Sequence, residues 1–239
     1  MQIALIGYGK MGKVIEQIAI ERKHHIALII DTHNTDLLTQ ENLKACDVAI
    51  EFTGPNSAAH NVKACIEADV PVVSGTTGWL KVKKEIEDFC LDKNGAFLYA
   101  SNFSIGVNIF FELNKKLASL MATQNNYSIS LEEIHHKAKK DAPSGTAITL
   151  AEQIIEANPL KTQWKNEIST DASIVPIISR RIDPAPGTHQ VKYSSSTDDI
   201  EIIHTAHNRS GFALGAVLAA EFIFNKKGIF TMSDVLKSF

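Results

Sequence analysis

The sequence predicts an α/β fold: a doubly wound parallel sheet joined to a smaller α+β domain whose sheet is mostly antiparallel. Three observations predict it. Short apolar runs alternate with helical stripes from residue 2 to about residue 104. A Gly-x-Gly-x-x-Gly turn joins the first run to the first stripe. Past residue 128 strand patterns dominate, separated by short connections.

A chain of 239 residues is long enough for one large or two modest domains. Its 44% hydrophobic and 21% charged content is that of a soluble globular protein. A net charge of −3 argues against nucleic acid and against an anionic membrane as partners. No apolar run reaches the length of a membrane span, and the first residues read as a strand rather than a signal peptide. Cys46, Cys65 and Cys90 are odd in number and lack metal-site spacing, so they read as reduced, buried packing residues. A cytoplasmic protein without a metal centre is expected.

Gln2 to Ile6 suits a buried parallel strand, and Val14, Ile15, Ile18 and Ala19 form the first helical stripe. Between them lie Gly7, Tyr8, Gly9, Lys10, Met11 and Gly12. Glycines at this spacing allow the tight turn, close approach of a pyrophosphate and helix-on-strand packing. Alone, the pattern also fits a plain βα turn. A second apolar strand over 26–30 strengthens it, because that strand ends in Asp31, about twenty residues on, where a carboxylate accepts hydrogen bonds from ribose hydroxyls. Together these features make a Rossmann-type dinucleotide site. Residues 32–45 are polar, with a short helix over 37–44; 48–53 is a strand, Gly54-Pro55 a turn and 58–68 a helix. The strand at 71–74 runs into Gly75-Thr76-Thr77-Gly78, at the carboxyl end of a strand, where open α/β sheets bind ligands. A helix over 81–90 and a strand over 96–100 follow. Ser101-Asn-Phe-Ser-Ile-Gly-Val-Asn108 then leads into a long apolar helix from about Ile109.

The densest chemistry lies in Glu133-Ile-His-His-Lys-Ala-Lys-Lys-Asp-Ala-Pro-Ser-Gly-Thr-Ala147. It follows an alternating strand over 128–134 and opens a helix over 146–157, so it occupies a strand-to-helix connection. Ser144, Gly145 and Thr146 sit where the free amides of a helix start meet an anion. A solvated basic loop accounts for Lys137 or Lys140 alone. Adjacent histidines, a lysine four residues after the first, and a Pro-Ser-Gly-Thr helix entry suit a small, multiply anionic substrate that needs a proton. Strands over 174–178, 189–194 and 199–204 complete a second sheet, with a stiff two-proline loop over 181–189. His204 to Arg209 and Gly211 to Gly215 precede a closing helix over 216–225.

These motifs resemble the dihydrodipicolinate reductase (4-hydroxy-tetrahydrodipicolinate reductase) family along essentially the whole chain. The stretch from Glu133 to Ala147 matches the family's Glu-x-His-His-x-x-Lys-x-Asp-Ala-Pro-Ser-Gly-Thr-Ala at every fixed position. Gly75-Thr-Thr-Gly78, Asn102-Phe-Ser-x-Gly-Val-Asn108 and the Phe-Ala-x-Gly-Ala stretch after Arg209 match further family motifs. Gly9-Lys-Met-Gly12 fits the family's glycine turn, with Ile6 in place of its first glycine; Asp183 likewise replaces a glycine after Arg181.

The resemblance implies nicotinamide-dependent reduction of 4-hydroxy-tetrahydrodipicolinate, a dicarboxylate, in lysine and diaminopimelate biosynthesis. It implies His135 and Lys139 as the catalytic proton-handling pair. His136, Gly145 and Thr146 would hold substrate. Cofactor contacts would come from the glycine turn, Asp31, Gly75, Thr76, Thr77, Ala100, Ser101, Asn102 and Phe103. Residues 1–104 and 210–239 would form the dinucleotide-binding domain, and 105–209 the substrate-binding and oligomerisation domain of a homotetramer. Glu133, two residues before His135 and on the same strand face, is placed to orient the imidazole. NADH and NADPH are both candidates. Thr32, where NADPH-using relatives carry arginine, favours NADH at least equally, because Asp31 repels a 2′-phosphate. Two rivals share the cofactor half: an aspartate or homoserine dehydrogenase-like enzyme, and a nicotinamide sensor without chemistry. Neither needs the histidine-lysine run.

Overall fold

The computed structural model describes residues 1–208 and 210–239. The chain runs through β1 (Gln2–Ile6), α1 (Lys10–Glu21), β2 (His25–Ile30), α2 (Gln40–Lys44), β3 (Val48–Glu51), α3 (Ala58–Glu67), β4 (Val72–Ser74), α4 (Lys83–Asp92) and β5 (Ala96–Tyr99). It continues through α5 (Ile105–Met121), β6 (Ser128–His135), α6 (Gly145–Ala157), β7 (Gln163–Lys165), β8 (Ile174–Arg181), β9 (Gly187–Ser194) and β10 (Asp199–Ala206). It closes with α7 (Ser210–Ile223), β11 (Gly228–Phe230) and α8 (Met232–Leu236). Two compact units result: Met1–Ile105 with Arg209–Phe239, and Gly106–Asn208.

The first unit is built on a six-stranded sheet of order β11-β5-β4-β3-β1-β2, in which every pairing is parallel. The strand order reverses at β1, with β2 on one side and β3 on the other. Ligands of open α/β sheets bind in the crevice that such a reversal opens at the strands' carboxyl ends. Both faces are covered. Ile3 and Leu5 join the core formed with α1 and α7, whereas Ala4 and Ile6 join the core formed with α2, α3 and α4. Strands buried on both sides read as continuous apolar runs, which is why they are visible in the sequence. Cys46, Cys65 and Cys90 are buried and free, as expected.

The second unit carries a five-stranded sheet of order β10-β9-β6-β8-β7. Its two longest ladders, β9 with β10 and β9 with β6, are antiparallel; β8 runs parallel to both β6 and β7. The sheet is therefore mixed. The short β8–β9 connection makes those two strands run oppositely, yet β6 lies between them, so residues 182–186 cross the end of β6. α5 and α6 cover one face with Phe110, Ala118, Leu150 and Ile154. The opposite face holds Ile134, Ile178 and a largely exposed Ile203 among polar neighbours.

Several boundaries differ from expectation. α5 starts at Ile105 rather than near Ile109, inside the motif expected to be loop, with the Asn102 side chain accepting from the Ser104 amide at 2.9 Å. α7 starts at Ser210 rather than Ala216. Gly211 and Gly215 hid its first turns; at Gly215 a Cβ would fall 1.7 Å from the Phe103 carbonyl oxygen, so the helix needs glycine to lie this close. β7, β11 and α8 are short elements that the periodicity does not announce, although Thr231 and Asp234 form a capping box at the start of α8.

Candidate active site

Along β6 the buried side chains are Ile129, Leu131, Glu133 and His135, so the stripe that packs the helices turns polar at its last two positions. Register then adds the neighbours. β9 places His189 opposite Glu133, and β8 places Arg181 beside His135. Residues 182–186 are tied over this strand end by the Ile182 amide donating to the His135 carbonyl at 2.7 Å and the Lys137 amide donating to Asp183 at 3.0 Å.

Glu133 is fully buried and sits at the centre. Its two oxygens accept from the Ser144 amide at 3.1 and 3.0 Å, and Arg181 Nη2 lies 3.3 Å from Oε1. His135 Nδ1 and His189 Nε2 lie 3.6 and 3.7 Å from Oε2. Burial opposes ionisation of Glu133, but contacts from His189, Ser144 and Ser179 outweigh it and hold the carboxyl well below the usual carboxylate range. For His135 the neutral form is favoured instead. Burial, then the field of His189, with Lys139 and Arg181 adding, lowers its pKa to about 4 against the opposing pull of Glu133. Its Nδ1 is buried without a hydrogen-bond partner among the described residues. Its ring stands edge-on to His189 with centroids 5.0 Å apart.

Ser144 couples this cluster to α6. Its hydroxyl accepts from the Ala147 amide at 3.2 Å as the helix cap and lies 3.1 Å from His189 Nε2. The expectation that the Ser144 amide meets a bound anion is corrected: it meets the protein's own Glu133. Gly145 is exposed and Thr146 half-buried at the same helix start, and His136 is half-buried just past β6. Lys139 Nζ donates to both oxygens of Asp141 at 2.9 Å, and Arg181 donates to the Asp141 carbonyl. Glu133, His135 and His189 also bring metal-ligand atoms within 4.8 Å of one another. A cation there would compete with Arg181 for the same carboxylate.

In the first unit, Gly7 adopts φ +99° and a Cβ on it would lie 2.0 Å from the Phe52 carbonyl oxygen. Gly9 has open space above it and precedes α1 without a side-chain cap, leaving first-turn amides for an anion. The Tyr8 hydroxyl donates to Glu16, folding its ring back along α1. Lys10 is exposed, and Met11 packs against the α1–α7 core. A cavity of about 890 Å³ opens beside the turn, lined by Gly7, Gly9, Asp31, His33, Thr53 and His60, among others. Asp31 Oδ1 accepts from the His33 amide at 2.7 Å, and the Asp31 amide donates to Asn34 at 2.7 Å, which fixes the loop after β2. Thr77 is exposed, but the Thr76 hydroxyl is turned inward to Glu51 at 2.8 Å. Ala100 is half-buried and Ser101 exposed, whereas the Phe103 ring is core, 5.7 Å from that of Phe52. Asn102 is half-buried.

The sequence alone assigns no role to His189 or Arg181, reads His60 as a surface or packing histidine and does not mark Thr53, Ser57 or Asn61; the structure places these last four on the cavity wall. The alternation of buried and half-buried residues along β9 is the local signal that puts His189 on the buried face, opposite Glu133. Arg209, expected near the return to the first unit, lies outside the described residues.

Comparison with known proteins covers both units. Residues 1–103 match the family model "Dihydrodipicolinate reductase, N-terminus" and residues 106–236 match "Dihydrodipicolinate reductase, C-terminus". A 4-hydroxy-tetrahydrodipicolinate reductase of Christiangramia forsetii is 51% identical over 99% of this chain and 98% of its own length. One from Thermosipho africanus is 36% identical over the same shares. The dipicolinate-bound dihydrodipicolinate reductase of Paenisporosarcina sp. TG-14 has a similar fold, with a TM-score of 0.77 at 24% identity and 98% coverage of each chain.

Proposed function

Because this chain belongs to the dihydrodipicolinate reductase family, we propose that it reduces 4-hydroxy-tetrahydrodipicolinate to tetrahydrodipicolinate with NADH or NADPH, in lysine and diaminopimelate biosynthesis. The observation that carries this reading is the cluster of Glu133, His135, His189 and Arg181 beside the N-terminus of α6. In the net reaction the ring gains a hydride and a proton, and the hydroxyl leaves as water. The bound nicotinamide supplies the hydride. The first unit's glycine turn, Asp31 and the Gly75–Gly78 loop hold the dinucleotide.

Gly145 and Thr146 receive a substrate carboxylate at the helix start, with His136 beside it. His135, neutral in the free protein, gains basicity when a dianionic substrate enters beside it and offsets the field of His189, Lys139 and Arg181. Lys139 delivers the proton after exchanging Asp141 for substrate, and Glu133 holds the imidazole in place. The open face of the second sheet, with Ile203 exposed on edge strand β10, supports a homotetramer formed through that sheet. Among the described residues no helix is long and apolar enough to cross a membrane. A cytoplasmic location fits the pathway.

The test generates the substrate in place from pyruvate and aspartate semialdehyde and follows loss of reduced-nicotinamide absorbance. Oxidation that depends on this chain supports the proposal. No oxidation with either nucleotide refutes it.

A further inference from the structure

Among the described residues Glu51 is, with Glu133, a fully buried carboxylate, and the proposed reaction does not use it. It ends β3, in register with Ser74 on β4. Its Oε1 accepts from the Thr53 amide at 2.9 Å, from the Thr53 hydroxyl and from the Thr76 hydroxyl at 2.8 Å. Its Oε2 accepts from the Ser74 hydroxyl. Each donor is a hydroxyl or an amide, so the carboxylate draws three hydroxyl protons toward one buried point. A buried carboxylate is costly unless fully hydrogen-bonded, and apolar side chains would serve stability as well.

What the network holds is the wall of the cavity. Thr53 Oγ1, fixed by Glu51, accepts in turn from Ser57 at 3.0 Å and from Asn61 at 3.2 Å, and all three residues line the cavity. The same stretch is the surface against which both glycine turns close. A Cβ on Gly7 would meet the Phe52 carbonyl, and one on Gly75 would lie 2.2 Å from the Phe52 ring. Displacing Thr53 therefore disturbs the turn after β1, the start of α3 and the loop after β4 together.

We propose that Glu51 is a positioning residue for the dinucleotide: its carboxylate locks Thr53, Ser74 and Thr76 so that the cavity wall and the Gly75–Gly78 loop are in place before the nucleotide arrives. This rests on the dinucleotide reading of the first unit. The test uses Glu51→Gln, which puts an amide donor among donors, and Ser74→Ala, which deletes one hydrogen bond away from the cavity. Fluorescence titrations give Kd for NADH and NADPH, and melting gives Tm on the same samples. Glu51→Gln should raise Kd tenfold or more and Ser74→Ala about threefold, with the kinetic loss falling on KM for the nucleotide rather than on kcat. A folded variant of either kind with the parental Kd overturns the proposal. So does a Kd change that only tracks loss of folded protein. If Glu51→Gln does not fold, Ser74→Ala decides alone. Failure of the parental protein to bind either nucleotide would instead overturn the dinucleotide reading itself.

Discussion

Replacing Glu133 by glutamine keeps the side chain's size and removes the charge at the centre of the histidine cluster. Two unit charges 3.6 Å apart, the separation of Glu133 Oε2 and His135 Nδ1, attract by about 4–5 kcal/mol at an effective dielectric constant near 20. Ser144 and Arg181 share the carboxylate, so roughly half of this, about 2–3 kcal/mol, acts on the imidazolium. That is roughly 30- to 150-fold in any step where His135 carries the proton. The direction follows from Glu133 being the group that raises the His135 pKa against burial. Without it the charged imidazole is harder to form, and kcat falls. Steady-state kcat at saturating nucleotide, measured from about pH 5.5 to 9, should show a drop of that size. Nucleotide Kd should be unchanged, because the dinucleotide residues belong to the other unit. A Glu133→Gln enzyme within threefold of the parental kcat across that range refutes the argument.

Four further outcomes are expected. His135→Gln and Lys139→Met should each lower kcat by about 100-fold or more with nucleotide affinity nearly intact; turnover near the parental rate in both would remove the proton-handling roles. NADH should serve at least as well as NADPH, and Thr32→Arg, on the cavity wall, should shift the balance toward NADPH. A parental kcat/KM ratio above about tenfold in favour of NADPH, some 1.4 kcal/mol, contradicts this. If the proposed homotetramer forms through the second sheet, Ile203→Lys should dissociate it in light scattering, whereas a parental protein already monomeric at micromolar concentration excludes that assembly. Burial opposes ionisation of Glu221, but hydrogen bonds from Arg22 and His24 outweigh it and lower its pKa. A folded pKa below the unfolded value contributes stability above about pH 4.3 that is lost as pH falls through the folded pKa. After screening of the part-exposed Arg22, Glu221→Gln should cost about 1 kcal/mol near neutrality. The difference should narrow as pH falls below about 4.3, and a gap that stays the same from neutrality to acid would show that its origin is not this charge.

β1, β3, β4 and β5 of the first sheet are legible because they are buried on both faces and bounded by glycine or polar turns, and the Glu133–Ala147 run is legible because its residue types are chemically conspicuous. The partners of Glu133 are not. His189 and Arg181 lie more than forty residues further along, and only the insertion of β6 between β8 and β9 brings them together. That insertion leaves no local periodicity to read. Thr76 shows the opposite limit: its motif marks a cofactor loop, but nothing in Gly75-Thr-Thr-Gly78 tells which hydroxyl is spent internally on Glu51. The first turns of α7 are hidden in the sequence by Gly211 and Gly215, since helix-breaking propensity says nothing of the close packing that requires a residue without a side chain at Gly215.

The discontinuity of the first unit has a consequence for how the chain is made. Ribosomal synthesis delivers β1 to β5 first, but Ala213, Ala216, Val217, Ala219, Ala220 and Ile223, which complete the core over Ile3, Leu5, Ile50 and Leu98, come only with α7. Between residue 105 and α7 the ribosome must add the whole of the second unit, which takes roughly 5–20 s at about 5–20 residues per second. Throughout that interval one face of the nascent sheet has no helix α7 to cover it, and β11 is not there to close the edge at β5. The second unit, contiguous in sequence, can fold in the meantime. Nascent chains arrested before α7 should therefore expose an apolar sheet face to chaperones, and this exposure should end once Ile223 has cleared the exit tunnel.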